Sequence, residues 1–136
     1  PGDNAGPIHP DITNEDWIKW ASGVWGDIQE TDTLEGWRAA GDEDDEKHVC
    51  PIQLEPVRRL VKLYTEPGDV VLDPFMGIGS VGWVALEQER LARGFELKES
   101  YHRQALKNCQ KLLDGRTRTP TSLAPGLFDA LEESAG

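Results

Sequence analysis

The chain has 136 residues, with 14 Lys+Arg against 25 Asp+Glu and a formal net charge of −11. That length fits one domain, no run approaches the ~18 apolar residues of a membrane span, and the N-terminus lacks a charged-then-apolar signal pattern. Two cysteines, Cys50 and Cys109, make no disulfide framework and fit a reducing cytoplasm, and the acidity taken whole argues against nucleic acid, whose binders carry a basic face.

The charge is unevenly placed. Residues 1–47 carry a net −10, residues 48–118 a net +2 and residues 119–136 a net −3. The first block, an acidic loop-rich segment over 1–47, holds Trp17, Trp20, Trp25 and Trp37. Trp17 and Trp20 are three apart, so both can face inward from a short helix with Asn14 as N-cap. Four tryptophans are too many for a solvated linker, so this segment is expected to pack on something.

The middle block, 48–116, has the pattern of a βαβ unit. Val57, Leu60, Val61 and Tyr64 follow helical spacing and predict a helix from Leu54 to Tyr64, with Pro56 harmless in its first turn. Pro67-Gly68-Asp69 is a turn. Val70-Val71-Leu72 is a continuous apolar run, expected of a strand covered on both faces. Asp73-Pro74-Phe75-Met76-Gly77-Ile78-Gly79-Ser80-Val81-Gly82 then forms a Gly-rich loop. Ser80 is expected to cap a helix through Gln88, with Val81, Val84 and Ala85 toward the sheet. A second strand is expected around Arg93–Leu97, and a last helix from Ser100 to Leu113 with Tyr101, Ala105, Cys109 and Leu112 on one stripe. The third block, 117–136, is an acidic tail that begins as a linker and ends in Leu127, Phe128 and Leu131. It reads as a frayed or lightly docked end or, alternatively, a partner-binding turn.

Strand, Gly-rich turn, helix and a strand ending in an acid is an arrangement that holds an adenosine moiety. Glu96 lies 23 residues beyond Asp73, where a carboxylate can accept hydrogen bonds from both ribose hydroxyls. Gly77-x-Gly79-x-x-Gly82 also satisfies the dinucleotide fingerprint, so an NAD-binding domain stays as an alternative. In that fingerprint the first glycine follows the strand almost directly. Here Asp73-Pro74-Phe75-Met76 intervenes, and a carboxylate at the strand end favours the cationic groups of S-adenosyl-L-methionine over a pyrophosphate. The three histidines and two cysteines offer no four-ligand spacing, so no metal is expected. Ser80 reads as a cap rather than a nucleophile, and His48 is not read as a catalytic base.

At these residues the chain resembles a family. Asp73-Pro74-Phe75-Met76-Gly77-Ile78-Gly79-Ser80 is similar to motif I of the DNA amino-methyltransferases, which methylate the exocyclic amine of adenine or cytosine. His48-Val49-Cys50-Pro51-Ile52-Gln53-Leu54 and the following helix resemble that family's motif X. Gly94-Phe95-Glu96-Leu97-Lys98 and Ser100-Tyr101 extend the likeness downstream. Residues 11–46 resemble, more loosely, the target-recognition region of the group in which the catalytic motif comes first, including phage members. The resemblance implies part of a Rossmann-like, three-layer αβα methyltransferase fold, incomplete in this chain. It implies that Asp73, Phe75, Gly77 and Gly79 line the methionine part of S-adenosyl-L-methionine, that Glu96 holds the ribose, and that His48, Cys50, Pro51 and Gln53 lie near the methionine carboxylate.

The family's catalytic Asp/Asn/Ser-Pro-Pro-aromatic loop orients the target amine and stacks on the flipped base. No Pro-Pro dipeptide occurs in the 136 residues. Two strands also fall short of an independently stable sheet. The expectation is therefore the C-terminal part of a site-specific DNA methyltransferase, inactive alone. Its expected partners are DNA, through the complete enzyme, and a missing N-terminal catalytic half or a partner subunit. Self-association is compatible with the sequence, no membrane is expected, and the expected location is a bacterial or phage-infected cytoplasm. The alternative is a non-catalytic remnant or regulatory subunit that binds the cofactor.

Overall fold

The computed structural model describes residues 12–36 and 51–116. Trp37, His48, Cys50 and the tail over 117–136, with the expectations placed on them, lie outside the described residues. In chain order the elements are α1 (Asn14–Trp20), α2 (Leu54–Tyr64), β1 (Val70–Asp73), α3 (Ser80–Glu87), β2 (Leu91–Gly94) and α4 (Glu99–Arg116).

Helix α1 starts one residue earlier than an Asn14 cap implies. Thr13 is the cap, with extended backbone and a hydroxyl that accepts the Asp16 N–H at 3.1 Å, so Asn14 is already helical. The helix buries no residue. Trp17 and Trp20, expected inward, instead wall an open groove with Ile12, Leu63 and Tyr64.

Helix α2 has the predicted bounds but a shifted inner face. Leu54, Val57 and Val61 are buried, whereas Leu60 and Tyr64 are exposed. The far side is covered by the segment after α1. Arg59, only 2% exposed, donates to Asp27 at 2.7 and 3.0 Å and to Glu55 at 2.9 Å, and its guanidinium lies 5.2 Å from the Trp25 ring centroid. Arg58 donates to Asp32 at 2.8 Å and to Glu87 at 2.7 Å, and the Leu54 N–H donates to the Asp32 carbonyl at 2.8 Å. The acidic segment thus packs on α2 through ion pairs as much as through tryptophans.

β1 and β2 pair in parallel, with Val70 opposite Leu91 and Asp73 opposite Gly94. Helix α3 connects them and is the hub, packing on both strands and on α2 and α4. Val84 and Ala85 are fully buried, and Leu34, Leu54, Val57, Val61, Ile78 and Val84 form one core cluster. Alternation splits the sheet into two faces. Val71 and Ala92 are half-buried, while Val70, Leu72, Leu91 and Arg93 are exposed. The apolar run of β1 is therefore covered on one face among the described residues, not on both. The helix that packs on the sheet, α3, lies on a single side.

The second strand is Leu91–Gly94 rather than 93–97. Arg90, 3% exposed, pins its start by donating to the Thr65 carbonyl at 2.6 Å and hydroxyl at 3.0 Å. The ladder closes early because β1 runs into Pro74, which has no N–H to donate. The Phe95 N–H still reaches the Asp73 carbonyl at 3.0 Å. Beyond it the chain turns, so Glu96 stands in the turn after the strand. Helix α4 runs longer than predicted, with Ala105 buried and Tyr101, Cys109 and Leu112 half-buried on the predicted stripe.

Candidate functional site

Parallel strands deliver the loops at their carboxyl ends to one edge, where α/β folds hold ligands. The loop Asp73–Gly79 and the turn Phe95–Lys98 meet at that edge. The Asp73 carboxylate accepts the Phe75 N–H at 3.0 Å. The Met76 N–H donates to the Phe95 carbonyl at 2.9 Å. Glu96 joins the two segments: one carboxylate oxygen accepts the Gly77 N–H at 2.8 Å and the other the Lys98 N–H at 2.9 Å. Asp73, Gly77 and Glu96 are thus brought together, and Phe75 projects at the rim, almost wholly exposed.

The two glycines at the centre of the loop are needed for different reasons. Gly77 has φ +54°, and a Cβ built there would meet nothing within 4 Å. The space beside it is open to a ligand. Gly79 has φ +88°, and its Cβ would lie 3.0 Å from the Ala105 Cβ and 3.1 Å from its Cα. Gly79 is buried and lets α3 sit close to α4, and it, not Ser80, is the N-cap residue, with no side-chain cap bond. Ser80 is already in the first helical turn and buried. The first N–H groups of α3 have no intrahelical partner and give this edge a positive end.

Pro51 and Gln53 precede α2. Pro51 is half-buried, and Gln53 is the N-cap residue of α2 with no side-chain cap bond. The next residue, Leu54, shares the core cluster with Ile78 of the loop.

Several residues shape the site without having stood out in the sequence. Asn108 on α4 donates to the Ile78 carbonyl at 2.9 Å and is itself held by Gln104 at 2.9 Å, fixing the loop from behind. Met76 lies over Gly94, where an added Cβ would come within 2.7 Å of its sulfur. A glycine two residues before the acid was the available signal for that close approach. Asn108 gave none, being one polar residue in a polar helix. For α2, the Glu55, Arg58 and Arg59 spacing was readable as helical ion pairing.

This edge, on a parallel βαβ unit, defines a partial α/β methyltransferase fold. A family model described as DNA methylase matches residues 7–107, and the chain belongs to that family, the DNA amino-methyltransferases. The type II methyltransferase M.BglI of Bacillus subtilis is 31% identical over 113 residues, covering 82% of this chain and 29% of the relative. M.MjaI of Methanocaldococcus jannaschii is 33% identical over 91 residues, covering 65% of this chain and 26% of the relative. Among solved structures, a protein of Thermus thermophilus provisionally assigned as a DNA modification methylase and crystallised with S-adenosyl-L-methionine matches with TM-score 0.58 and 30% identity, over 77% of this chain and 36% of that one. The chain spans under a third of the length of these curated relatives.

Proposed function

We propose that this chain supplies the S-adenosyl-L-methionine pocket of a DNA amino-methyltransferase. The observation that carries the reading is Glu96, held at the carboxyl edge of the sheet against the Gly77 N–H of the loop that begins at Asp73. The donor set suits the cofactor. Each Glu96 oxygen accepts one N–H and keeps a second lone pair for a ribose hydroxyl. Asp73 offers negative charge to the cofactor's cationic groups, and the open space at Gly77 admits a ligand against the backbone. Phe75 gives an apolar wall, and Pro51, Gln53, His48 and Cys50 are assigned to the methionine carboxylate end. Gly79 serves by setting the loop against α4. When bound, the cofactor supplies an electrophilic methyl group on a sulfonium.

In this reading residues 48–116 are the cofactor-binding portion, 1–47 belong with target recognition, and 117–136 are an accessory tail. Transfer to adenine or cytosine needs the Pro-Pro-aromatic loop, which these 136 residues do not contain. The protein alone is therefore expected to bind the cofactor without methylating DNA.

Photolabelling with methyl-tritiated S-adenosyl-L-methionine tests the placement. Label is expected on peptides containing residues 73–79 or 94–98, suppressed by S-adenosylhomocysteine and not by NAD. Label confined to other peptides, or suppressed by NAD, would overturn it.

A further inference from the structure

We infer that Glu96 is a positioning residue for the Gly-rich loop as well as a ligand for the ribose. It sets the loop before any cofactor arrives. The inference deepens the proposed cofactor site and rests on that reading for its functional meaning, although its structural basis does not.

Both oxygens of the Glu96 carboxylate are engaged by the protein's own backbone, with Gly77 N–H on one at 2.8 Å and Lys98 N–H on the other at 2.9 Å. The second bond, two residues along the chain, fixes the carboxylate on its own turn. The first reaches 19 residues back in sequence, to the loop glycine where an added Cβ would meet nothing within 4 Å. Gly77 has φ +54°, a conformation that glycine leaves easily because it has no Cβ to restrict it. A loop with that freedom needs an external anchor. The neighbouring bonds, Phe95 N–H to the Asp73 carbonyl and Met76 N–H to the Phe95 carbonyl, hold the loop to the second strand as far as Met76, and the Gly79 N–H closes a turn over Gly77 by donating to the Met76 carbonyl at 2.8 Å, a bond within the loop itself. Asn108 takes hold again at the Ile78 carbonyl. Gly77 lies between these two anchors, and Glu96 holds it by a side chain. The carboxylate is half-buried, so its charge is only partly screened and the bond is of the charge-assisted kind.

The consequence is a coupling within the site. The group that would bind the ribose also decides whether the backbone along the methionine end is in place. Removing it should cost affinity at a part of the ligand it never touches. A purely ribose-binding Glu96 would show no such effect.

The first measurement uses the protein without ligand. Amide exchange of Gly77 followed by NMR should speed up about tenfold or more in Glu96→Ala, as expected for loss of a charge-assisted hydrogen bond. Exchange of the Val57 and Val61 amides of α2 should stay unchanged, showing that the variant is folded. Glu96→Gln, which keeps one acceptor oxygen, should restore part of the protection. The second measurement compares S-adenosylhomocysteine with its 2′,3′-dideoxyribose analogue. Glu96→Ala should weaken both, the analogue by about tenfold. Unchanged Gly77 exchange, or an analogue whose affinity is indifferent to the substitution, would overturn the positioning role. Failure of the wild-type protein to bind either ligand would instead count against the cofactor reading, and the exchange result would still decide the tether.

Discussion

Arg59 shows how a charged residue becomes a core residue. Its guanidinium is covered because Asp27, Glu55 and Trp25 between them satisfy its donors and its face, and a buried charge persists only when paired in this way. Truncation to alanine removes the cation that Asp27 and Glu55 share, leaving Asp27 only Lys19 and Glu55 only Arg58. Arg59→Ala is expected to lower unfolding free energy by ~1.5–3 kcal/mol, the range for hydrogen bonds to charged groups, read as a lower urea midpoint. A loss under about 0.5 kcal/mol would show that the pairing is ornamental. The Arg59 hydrogen bond first, and Lys19 second, hold the Asp27 carboxyl well below its ordinary value of 3.8. A depressed folded value means that the pair's contribution is fully present above the unfolded carboxyl value. It is lost as pH falls through the folded one. Asp27→Asn should therefore flatten the fall in stability on acidification below about pH 4, and an unchanged acid limb would contradict the assignment. Cys109 shows burial acting alone: its thiol is pushed up to about 11 from 9.0, so it is expected to react slowly with iodoacetamide in the folded protein.

At the scale of elements, the loop between β1 and α3 offers the sharpest contrast. Gly77→Ala and Gly79→Ala both force a side chain into positive φ, at about 1–2 kcal/mol. Only Gly79→Ala also drives a methyl into Ala105, which adds roughly 1–3 kcal/mol of overpacking. Gly79→Ala is expected to appear mainly as lost stability. Gly77→Ala is expected to appear mainly as lost affinity for S-adenosylhomocysteine, about tenfold. Equal effects of the two in both assays would deny the separate duties assigned to them. Much of this scale was legible in the sequence. Helix α2, strand β1, the Gly-rich loop and helix α3 follow from apolar spacing and turn residues within a residue or so. What was not legible came from tertiary context. The early end of β2 depends on where its partner strand meets Pro74. The inner face of α2 depends on acids 26 to 32 residues away in sequence finding Arg58 and Arg59. The exposure of Val70, Leu72 and Leu91 depends on helix placement, which a run of apolar residues does not encode. Within the site, Asp73, Gly77 and Glu96 were readable because chemistry restricts those positions. Asn108 acts through a hydrogen bond to the Ile78 carbonyl and Met76 by packing over Gly94, roles that their residue types alone do not mark.

For the whole molecule, the net charge of −11 no longer argues against a DNA substrate. It sits largely in the first 47 residues, where Asp27, Asp32 and nearby acids are partly consumed in ion pairs with α2. The segment that carries the proposed cofactor residues is net +2 over residues 48–118. With so little surplus positive charge, the protein alone should hold duplex DNA weakly, and only at low salt. Tight, salt-resistant binding in a mobility-shift titration would contradict that. The central claim is narrower: this edge of the sheet is built for an adenosyl ligand carrying a cationic amino-acid arm. Isothermal titration of the protein with S-adenosyl-L-methionine, S-adenosylhomocysteine and NAD tests it most directly. Saturable heat with both adenosyl ligands, reduced in Glu96→Ala, and none with NAD is the expected result. Heat with NAD and none with either adenosyl ligand would contradict it.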